Sequence, residues 1–172
     1  FTATTKDKKK ILLKINELCF LRIITIHDVS NDYINWMNDN DVVKFTQQKN
    51  ILHSKKRVSE FVNEKLKSKS DFLFGIFYKQ KHIGNTKLGP ILWSKDSAEI
   101  SFIIGKKELW GNGIGFDAVN RVIKFAFSEL NLNEINATFY KSNIASGKIF
   151  KKCGFSVVDQ KNDLIIVNYK KV

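Results

Sequence analysis

Residues 110–115 of the 172-residue chain read Trp-Gly-Asn-Gly-Ile-Gly, three glycines at alternate positions directly ahead of a helical pattern. Glycine admits positive φ and lets a ligand come close to the main chain. Behind the turn, Ala118, Val119, Val122, Ile123 and Ala126 recur at three- and four-residue steps. Asp117, Asn120, Arg121 and Lys124 fill the other side, which makes the stretch an amphipathic helix. A helix opened in this way leaves unpaired N–H groups at the positive end of its dipole, a place for an anion and most often a phosphate. One glycine would be a corner in the chain; three against a helix start favour the anion. The common phosphate motifs do not fit. Gly115 is followed by Phe116 and Asp117, where a Walker loop needs Lys-Ser/Thr, and the glycine spacing is not that of a dinucleotide fingerprint.

The charge balance agrees with an anionic ligand. Twenty-nine Lys+Arg against 17 Asp+Glu give +12, which favours nucleic acid, an anionic membrane or phosphorylated small molecules as partners. Arginines number only three, Arg22, Arg57 and Arg121. That speaks against a specific nucleic-acid reader, which uses arginine for bidentate base contacts. Cys19 and Cys153 make no disulfide scaffold, and His27, His53 and His82 stand apart in sequence, so no metal is expected. No apolar run nears the ~20 residues of a membrane span, and the start, Phe-Thr-Ala-Thr-Thr-Lys-Asp-Lys-Lys-Lys, is not a secretory leader. The default expectation is a cytoplasmic enzyme or binding protein without a membrane partner.

The elements that must position the turn follow from periodicity. Residues 1–14 read as a basic, flexible tail and 15–172 as one domain. A first strand is predicted over 18–25 and one or two short helices over 28–45. A stronger helix over 54–68 has Ser54 as N-cap. Strands follow at 71–79, 81–93 and 97–105, then the glycine turn and its helix. A strand at 133–140 and a helix from Asn143 to Cys153 come next, with Gly154 as the left-handed residue that ends that helix. Two last strands fill 155–171 around a turn at Lys161-Asn162-Asp163. Hairpins first and helical connections later predict a single α/β (α+β) domain. Its mixed, mostly antiparallel sheet should hold about seven strands, flanked by about four helices.

The glycine turn and a second segment, Asn143-Ile-Ala-Ser-Gly-Lys-Ile-Phe-Lys-Lys-Cys-Gly-Phe155, stand in a recognisable order. The first resembles the phosphate turn of the GNAT family of acyl-CoA N-acyltransferases, [Q/R]-x-x-G-x-[G/A], with Trp110 in place of Gln or Arg. The second matches the family's N-x-x-[S/A]-x-x-x-[Y/F]-x-x-x-G-F at Asn143, Ser146, Phe150, Gly154 and Phe155. The Trp-Gly-x-Gly form is similar to the branch holding ribosomal-protein, polyamine and sugar-nucleotide acetyltransferases, and the order of elements agrees over 18–170. The resemblance implies acetyl-CoA as co-substrate, its pyrophosphate on the amides of Trp110, Gly111, Asn112, Gly113, Ile114 and Gly115. The pantetheine arm would lie between the strand ending at Gly105 and the strand at 133–140. There it would pair with the main chain around Phe102, Ile103 and Ile104, one of whose N–H groups could polarise the thioester carbonyl. Asn143 would reach the arm or the acceptor, or serve as a plain N-cap.

The reaction so implied is attack of a neutral amine on a thioester, which needs a base for the amine and an acid for the leaving thiolate. Many members of the family take the acid from a tyrosine where this chain has Phe150, which has no proton to give. Ser146 is the nearest replacement, or else a residue facing a helix groove. Glu99 is the base candidate, or else an exposed strand carboxylate or half of an ion pair; Asp96 is a weaker alternative. Trp36, Lys44 and Phe45 fall where the family closes its acceptor pocket, although aromatics at helical spacing are more often core. The stretch 33–43 resembles enzymes of nucleotide-sugar pathways, so the acceptor expected is a small-molecule amine, best a nucleotide-linked amino sugar. A protein N-terminus or a polyamine is the alternative. Two rivals stand beside the enzyme, a catalytically silent acyl-CoA-binding domain and a basic nucleic-acid-binding module. A homodimer is left open.

Overall fold

The computed structural model describes residues 4–172. Its strands are β1 (Leu12–Lys14), β2 (Cys19–Ile23), β3 (Phe72–Tyr78), β4 (Lys81–Leu92), β5 (Ser97–Ile104), β6 (Glu134–Tyr140), β7 (Ser156–Lys161) and β8 (Leu164–Lys170). They form one sheet in the order β1-β2-β3-β4-β5-β6-β8-β7. Of the neighbouring pairs, only β5 and β6 run parallel. The helices are α1 (Thr5–Lys8), α2 (Asn31–Asn38), α3 (Asn40–Val43), α4 (Lys55–Lys67), α5 (Ile114–Ser128) and α6 (Ile144–Cys153). The mixed, mostly antiparallel domain expected from the sequence is the one that forms, with eight strands and six helices among the described residues.

Strand alternation divides the interior into two cores. Ala98 and Ile100 of β5 face α5, whose stripe of Ala118, Val119, Val122, Ile123 and Ala126 is buried against the sheet together with Phe150 of α6. On the opposite face Leu73 and Phe77 of β3 meet Tyr33 and Trp36 of α2 and Val58 and Val62 of α4. The helices of the second core start where the sequence provides a cap. Ser30 accepts from Tyr33 N–H at the head of α2, and Ser54 from Arg57 N–H at the head of α4, contacts worth ~1 kcal/mol each. Gly154 closes α6 at φ 105°.

The N-terminal segment differs from the flexible tail expected over 1–14. Residues 1–3 lie outside the described residues, but α1 and β1 follow at once, and β1 pairs with β2 in the register Leu12↔Arg22. Lys8 is the reason. Its side chain is buried, and its ammonium donates to the carbonyl oxygens of Lys65, Leu66, Ser68 and Asp71. Those carbonyls lie at and just beyond the C-terminal end of α4, where a helix has no N–H groups left for them. A lysine-rich stretch looks like a solvated tail until its distant acceptors are known.

Candidate active site

The site begins where β5 and β6 part. They pair over Ser97↔Glu134, Ala98↔Ile135 and Glu99↔Asn136 and no further. β5 stays bonded to β4 as far as Ile104↔Gly84, and β6 to β8 as far as Tyr140↔Leu164. Each strand therefore follows its outer neighbour, and a wedge opens between them.

Four contacts fix which main-chain groups of β5 face that wedge. Gly105 N–H donates to Ile83 O on β4 at 2.8 Å, and Ser101 O accepts from the Thr86 hydroxyl of β4 at 3.0 Å. A Cβ on Gly84 would fall 2.4 Å from Ile103 O. Ile104 O points the other way, toward an indole N–H of Trp110 at 2.8 Å. By alternation Phe102 and Ile104 present their N–H and C=O groups to the wedge, whereas Ile103 gives its own to β4. Of the three strand residues expected to meet the pantetheine arm, Ile103 is thus turned away in its main chain.

The wedge leads into the glycine turn. Gly111 and Gly113 have φ 82° and 80°, and a Cβ on either would meet nothing within 4 Å. Their requirement is conformational, and the space beside them is free for a ligand. Gly115 answers a different need: a Cβ there would lie 3.1 Å from Ile149 and 3.3 Å from Phe102, so it lets α5 sit close against α6 and β5. No side chain caps α5, and Asp117 N–H is the first to reach a helical carbonyl, that of Gly113 at 3.0 Å. The amides of residues 114–116 point out of the helix end. Ile114 buries its side chain and Asn112 is exposed. Lys152 places its ammonium 4.2 Å over the Phe116 ring, a cation one turn from that helix end. These features fit the diphosphate and arm of a coenzyme A molecule.

Phe150 is 3 % exposed and lies in an aromatic cluster, 5.8 Å from Phe102 of β5, 5.7 Å from Phe139 of β6 and 5.2 Å from Phe155 between ring centroids. It fills the apolar side of the wedge, where the two strands have parted. Asn143 is the N-cap of α6, with Oδ1 accepting Ser146 N–H at 3.3 Å. The Ser146 hydroxyl is half-buried and has no protein partner among the described residues. Glu99 is exposed at the closed end of the wedge, on the face opposite α5. A Cβ on Gly147 would touch the Phe139 ring at 3.1 Å, and Phe139 lies three residues beyond the Glu99↔Asn136 pair. Some 10 Å of strand separates those levels at ~3.3 Å per residue, and no hydrogen bond joins Glu99 to Ser146. Asp96 belongs to the turn before β5, at φ 50°, with its carbonyl taken by the amides of Asn133 and Glu134.

The side on which the acceptor is expected is covered by α2, α3 and α4. Trp36 is 5 % exposed and its ring lies flat on Gly105, where a Cβ would come within 2.0 Å of it. It belongs to the core, not to an acceptor surface, because the glycine admits it against β5. Lys44 is exposed and rests its ammonium 5.2 Å from the half-buried Phe45 ring. Sequence reasoning missed the contacts that hold this side. Lys106 binds Asp32 at 2.7 Å, and Lys107 binds Asp39 at 2.9 Å and Asp41 at 3.3 Å, tying α2 and α3 to the loop before the glycine turn. The hydrogen bond to Lys107 holds the Asp39 carboxyl below its usual range, against slight burial. His82 of β4 donates from Nε2 to Asn85 Oδ1 at 2.7 Å and packs among Tyr33, Trp36 and Phe77. Burial lowers its pKa and keeps the ring neutral, ahead of the opposing pull of Asn85 and Asp28. Lys87, beside Glu99 and half-buried, is likewise lowered by burial and then by Lys65. No sequence pattern marks the Lys106 and Lys107 pairs, whose partners lie on different elements.

Known proteins agree with this architecture. The family model for the acetyltransferase (GNAT) domain matches residues 19–156. The probable N-acetyltransferase YjcK of Bacillus subtilis (strain 168) is 33% identical over 104 residues, 59% of this chain and 56% of that protein. The chain spans about half the length of the curated relatives it matches. Among solved structures, spermidine N-acetyltransferase from Vibrio cholerae in complex with CoA and spermine superposes with a TM-score of 0.79 at 21% identity, over 90% of this chain and 96% of the other. The microcin C7 self-immunity acetyltransferase MccE, in complex with acetyl-CoA and AMP, superposes with a TM-score of 0.79 at 17% identity, over 92% and 95%.

Proposed function

The chain belongs to the acetyltransferase (GNAT) family, and from that premise we propose that it transfers an acetyl group from acetyl-CoA to a primary amine, best an amino sugar on a nucleotide carrier. One observation carries the transferase reading. The only parallel pair of the sheet parts after three residues and runs into a turn with two positive-φ glycines at an uncapped helix end. Open strand edge, phosphate turn and helix dipole stand in the order in which thioester, arm and diphosphate of acetyl-CoA follow one another.

Within that reading each group has a task. Glu99 takes the proton of the ammonium form, directly or through water, so that the amine nitrogen can bond to the thioester carbonyl carbon. The Phe102 or Ile104 amide donates to the carbonyl oxygen as negative charge gathers there. Ser146 gives a proton to the sulfur as the C–S bond breaks, and the second proton shed by the nitrogen passes through water and makes good the loss from the serine. The products are the N-acetylamine and the free thiol of CoA.

The acceptor rests on charge. The stretch 44–57 holds Lys44, Lys49, Lys55, Lys56 and Arg57 with no carboxylate. Three of these cations occupy the exposed first turn of α4, where the helix dipole opposes them and an incoming diphosphate would relieve them. Asp32, Asp39 and Asp41 favour the second reading, a polyamine or a protein N-terminus, but each is already paired with Lys106 or Lys107, which leaves one net negative charge among the five groups. An amine panel followed by CoA release tests the choice. For a nucleotide-linked amino sugar, acceptor KM rises with salt. Lys55→Glu and Lys56→Glu should each raise it about 2- to 5-fold and leave the acetyl-CoA KM unchanged. A KM for spermidine or a basic peptide far below that of every nucleotide amino sugar overturns the acceptor and leaves acetyl-CoA in place.

A further inference from the structure

Trp110 stands where the sequence places the first residue of the phosphate turn, yet its one polar atom does not serve that turn. The indole Nε1–H donates to Ile104 O at 2.8 Å. Ile104 is the last residue of β5, and its carbonyl is one of the few main-chain acceptors facing the wedge. The bond therefore takes up a group that an extended ligand laid along β5 would otherwise use. It also joins two regions that have no other hydrogen bond between them among the described residues. One is the strand edge at Phe102 and Ile104; the other is the positive-φ turn at Gly111 and Gly113. The loop between them leaves the sheet after Lys106, whose N–H reaches Ile83 O at 3.2 Å, and from there bonds within itself through Leu109 N–H to Lys106 O and Trp110 N–H to Lys107 O. Trp110 is 45 % exposed, so burial of its ring does not account for its position.

We propose that Trp110 is a positioning residue for acetyl-CoA: its indole, by holding Ile104 O, sets the distance between the strand edge that takes the pantetheine arm and the turn that takes the diphosphate. This rests on the acetyl-CoA reading above and adds a role that acts through Ile104, not on phosphate. The arm is left with the Phe102 main chain and the Ile104 amide, and its strand-like pairing ends one acceptor short of the loop. A ligand that spans both regions feels the spacing. A ligand confined to the turn does not.

The test uses two ligands and two variants, each measured by calorimetric or competitive binding to the full chain. Acetyl-CoA touches both regions, whereas adenosine 3′,5′-bisphosphate has no pantetheine arm. Trp110→Phe keeps a ring and removes the donor. Its acetyl-CoA affinity should fall about 2- to 10-fold, the value of one neutral hydrogen bond, while adenosine 3′,5′-bisphosphate changes less than about twofold and the unliganded melting temperature stays near that of the wild type. Trp110→Gln restores an N–H donor and should recover part of the loss. Equal weakening of both ligands, as from a ring stacked on adenine or a collapsed turn, overturns the proposal; so does an unchanged acetyl-CoA affinity in Trp110→Phe. A wild-type chain that binds neither ligand overturns the acetyl-CoA reading itself, and this outcome is distinct from the other two.

Discussion

The two faces of the sheet present different kinds of order. On the α5–α6 face the features that matter belong to the backbone: a parallel pair that stops at Glu99↔Asn136, two glycines at φ near 80°, and a helix end with no cap. On the α2–α4 face they belong to particular side chains, most of them brought together from distant segments. Trp36 lies on Gly105, His82 bonds Asn85, and Lys107 is held by Asp39 and Asp41. A backbone site tolerates change in most side chains, because its donors are amides. A side-chain site is set by its particular residues. The first face therefore depends little on side-chain identity, and the second depends on it throughout.

The first way to break this comparison is to show that chemistry does not sit at the boundary between the halves. Glu99→Gln and Ser146→Ala should each lower kcat, by ~10²–10⁴ for a group acting directly as base or acid and by less for one acting through water. Acetyl-CoA affinity should hardly move. Steady-state rates from pH 6 to 9 with the best amine of the panel check this, and wild-type turnover in both variants would move the proton transfers elsewhere. Phe150→Tyr complements them. Its ring is enclosed by Phe102, Phe139 and Phe155, so an added hydroxyl should lower stability without raising kcat, since a buried hydroxyl needs a partner.

Next in size is the backbone claim. Gly113→Val forces a β-branched residue to φ 80° and sets its methyls in the space left free for a ligand. Strain of roughly 1–3 kcal/mol and the lost space together should weaken CoA binding by about 100-fold or more, with the rest of the domain folded. A folded Gly113→Val chain with unchanged CoA affinity would remove the turn from the site.

The contrast between the halves also decides what could be read in advance. The glycine turn, the amphipathic stripe of α5 and the capping at Ser54 and Asn143 depend on residues within a few positions of each other. Periodicity and spacing report such local facts. Lys8 and the carbonyls at the end of α4, Trp36 and Gly105, and Lys107 and Asp39 are 57 to 69 positions apart in the chain. No window contains both partners. That is why 1–14 reads as a tail and Trp36 as a ligand contact. Ile103 is a subtler case: a strand was legible there, but which of its residues turn their amides outward depends on the register with β4, and a slip of one residue reverses the answer.

Gly105→Ala tests the side-chain half in the same spirit. The new methyl would lie 2.0 Å from the Trp36 ring, so α2 must shift or the strand must bend. Overpacking of this kind costs about 1–3 kcal/mol, a drop of roughly 3–10 °C in melting temperature for a chain of this size. In a Trp36→Ala background the same substitution should cost little, because the obstructing ring is gone. An equal loss in both backgrounds would show that Gly105 serves the main chain and not the indole.

The smallest expected effect asks whether the halves can be separated at all. His82 lies under α2 with Tyr33 at 5.4 Å and Trp36 at 5.0 Å between ring centroids, and burial holds its pKa below the ordinary histidine value of 6.5. Asp28, paired with Arg22, and Asn85 oppose that shift without reversing it. The unfolded chain thus binds a proton more readily than the folded one. Stability from this group is fully present above about pH 6.5 and is lost as pH falls below it, with a slope that cannot exceed about 1.4 kcal/mol per pH unit for one proton. His82→Gln keeps a polar partner for Asn85 and should flatten the acid side of the stability profile between pH 6.5 and 5. Hydrogen-exchange protection then distinguishes the halves: in the wild type at pH 5.5, amides of Asn31–Asn38 should lose protection while those of Ile114–Ser128 keep theirs. Charging a histidine beneath α2 destabilises the core that α2 covers and leaves the core under α5 intact. If α2 and α5 lose protection together, the two cores open as one unit, and the division of the molecule into a backbone half and a side-chain half describes its contacts but not its energetics.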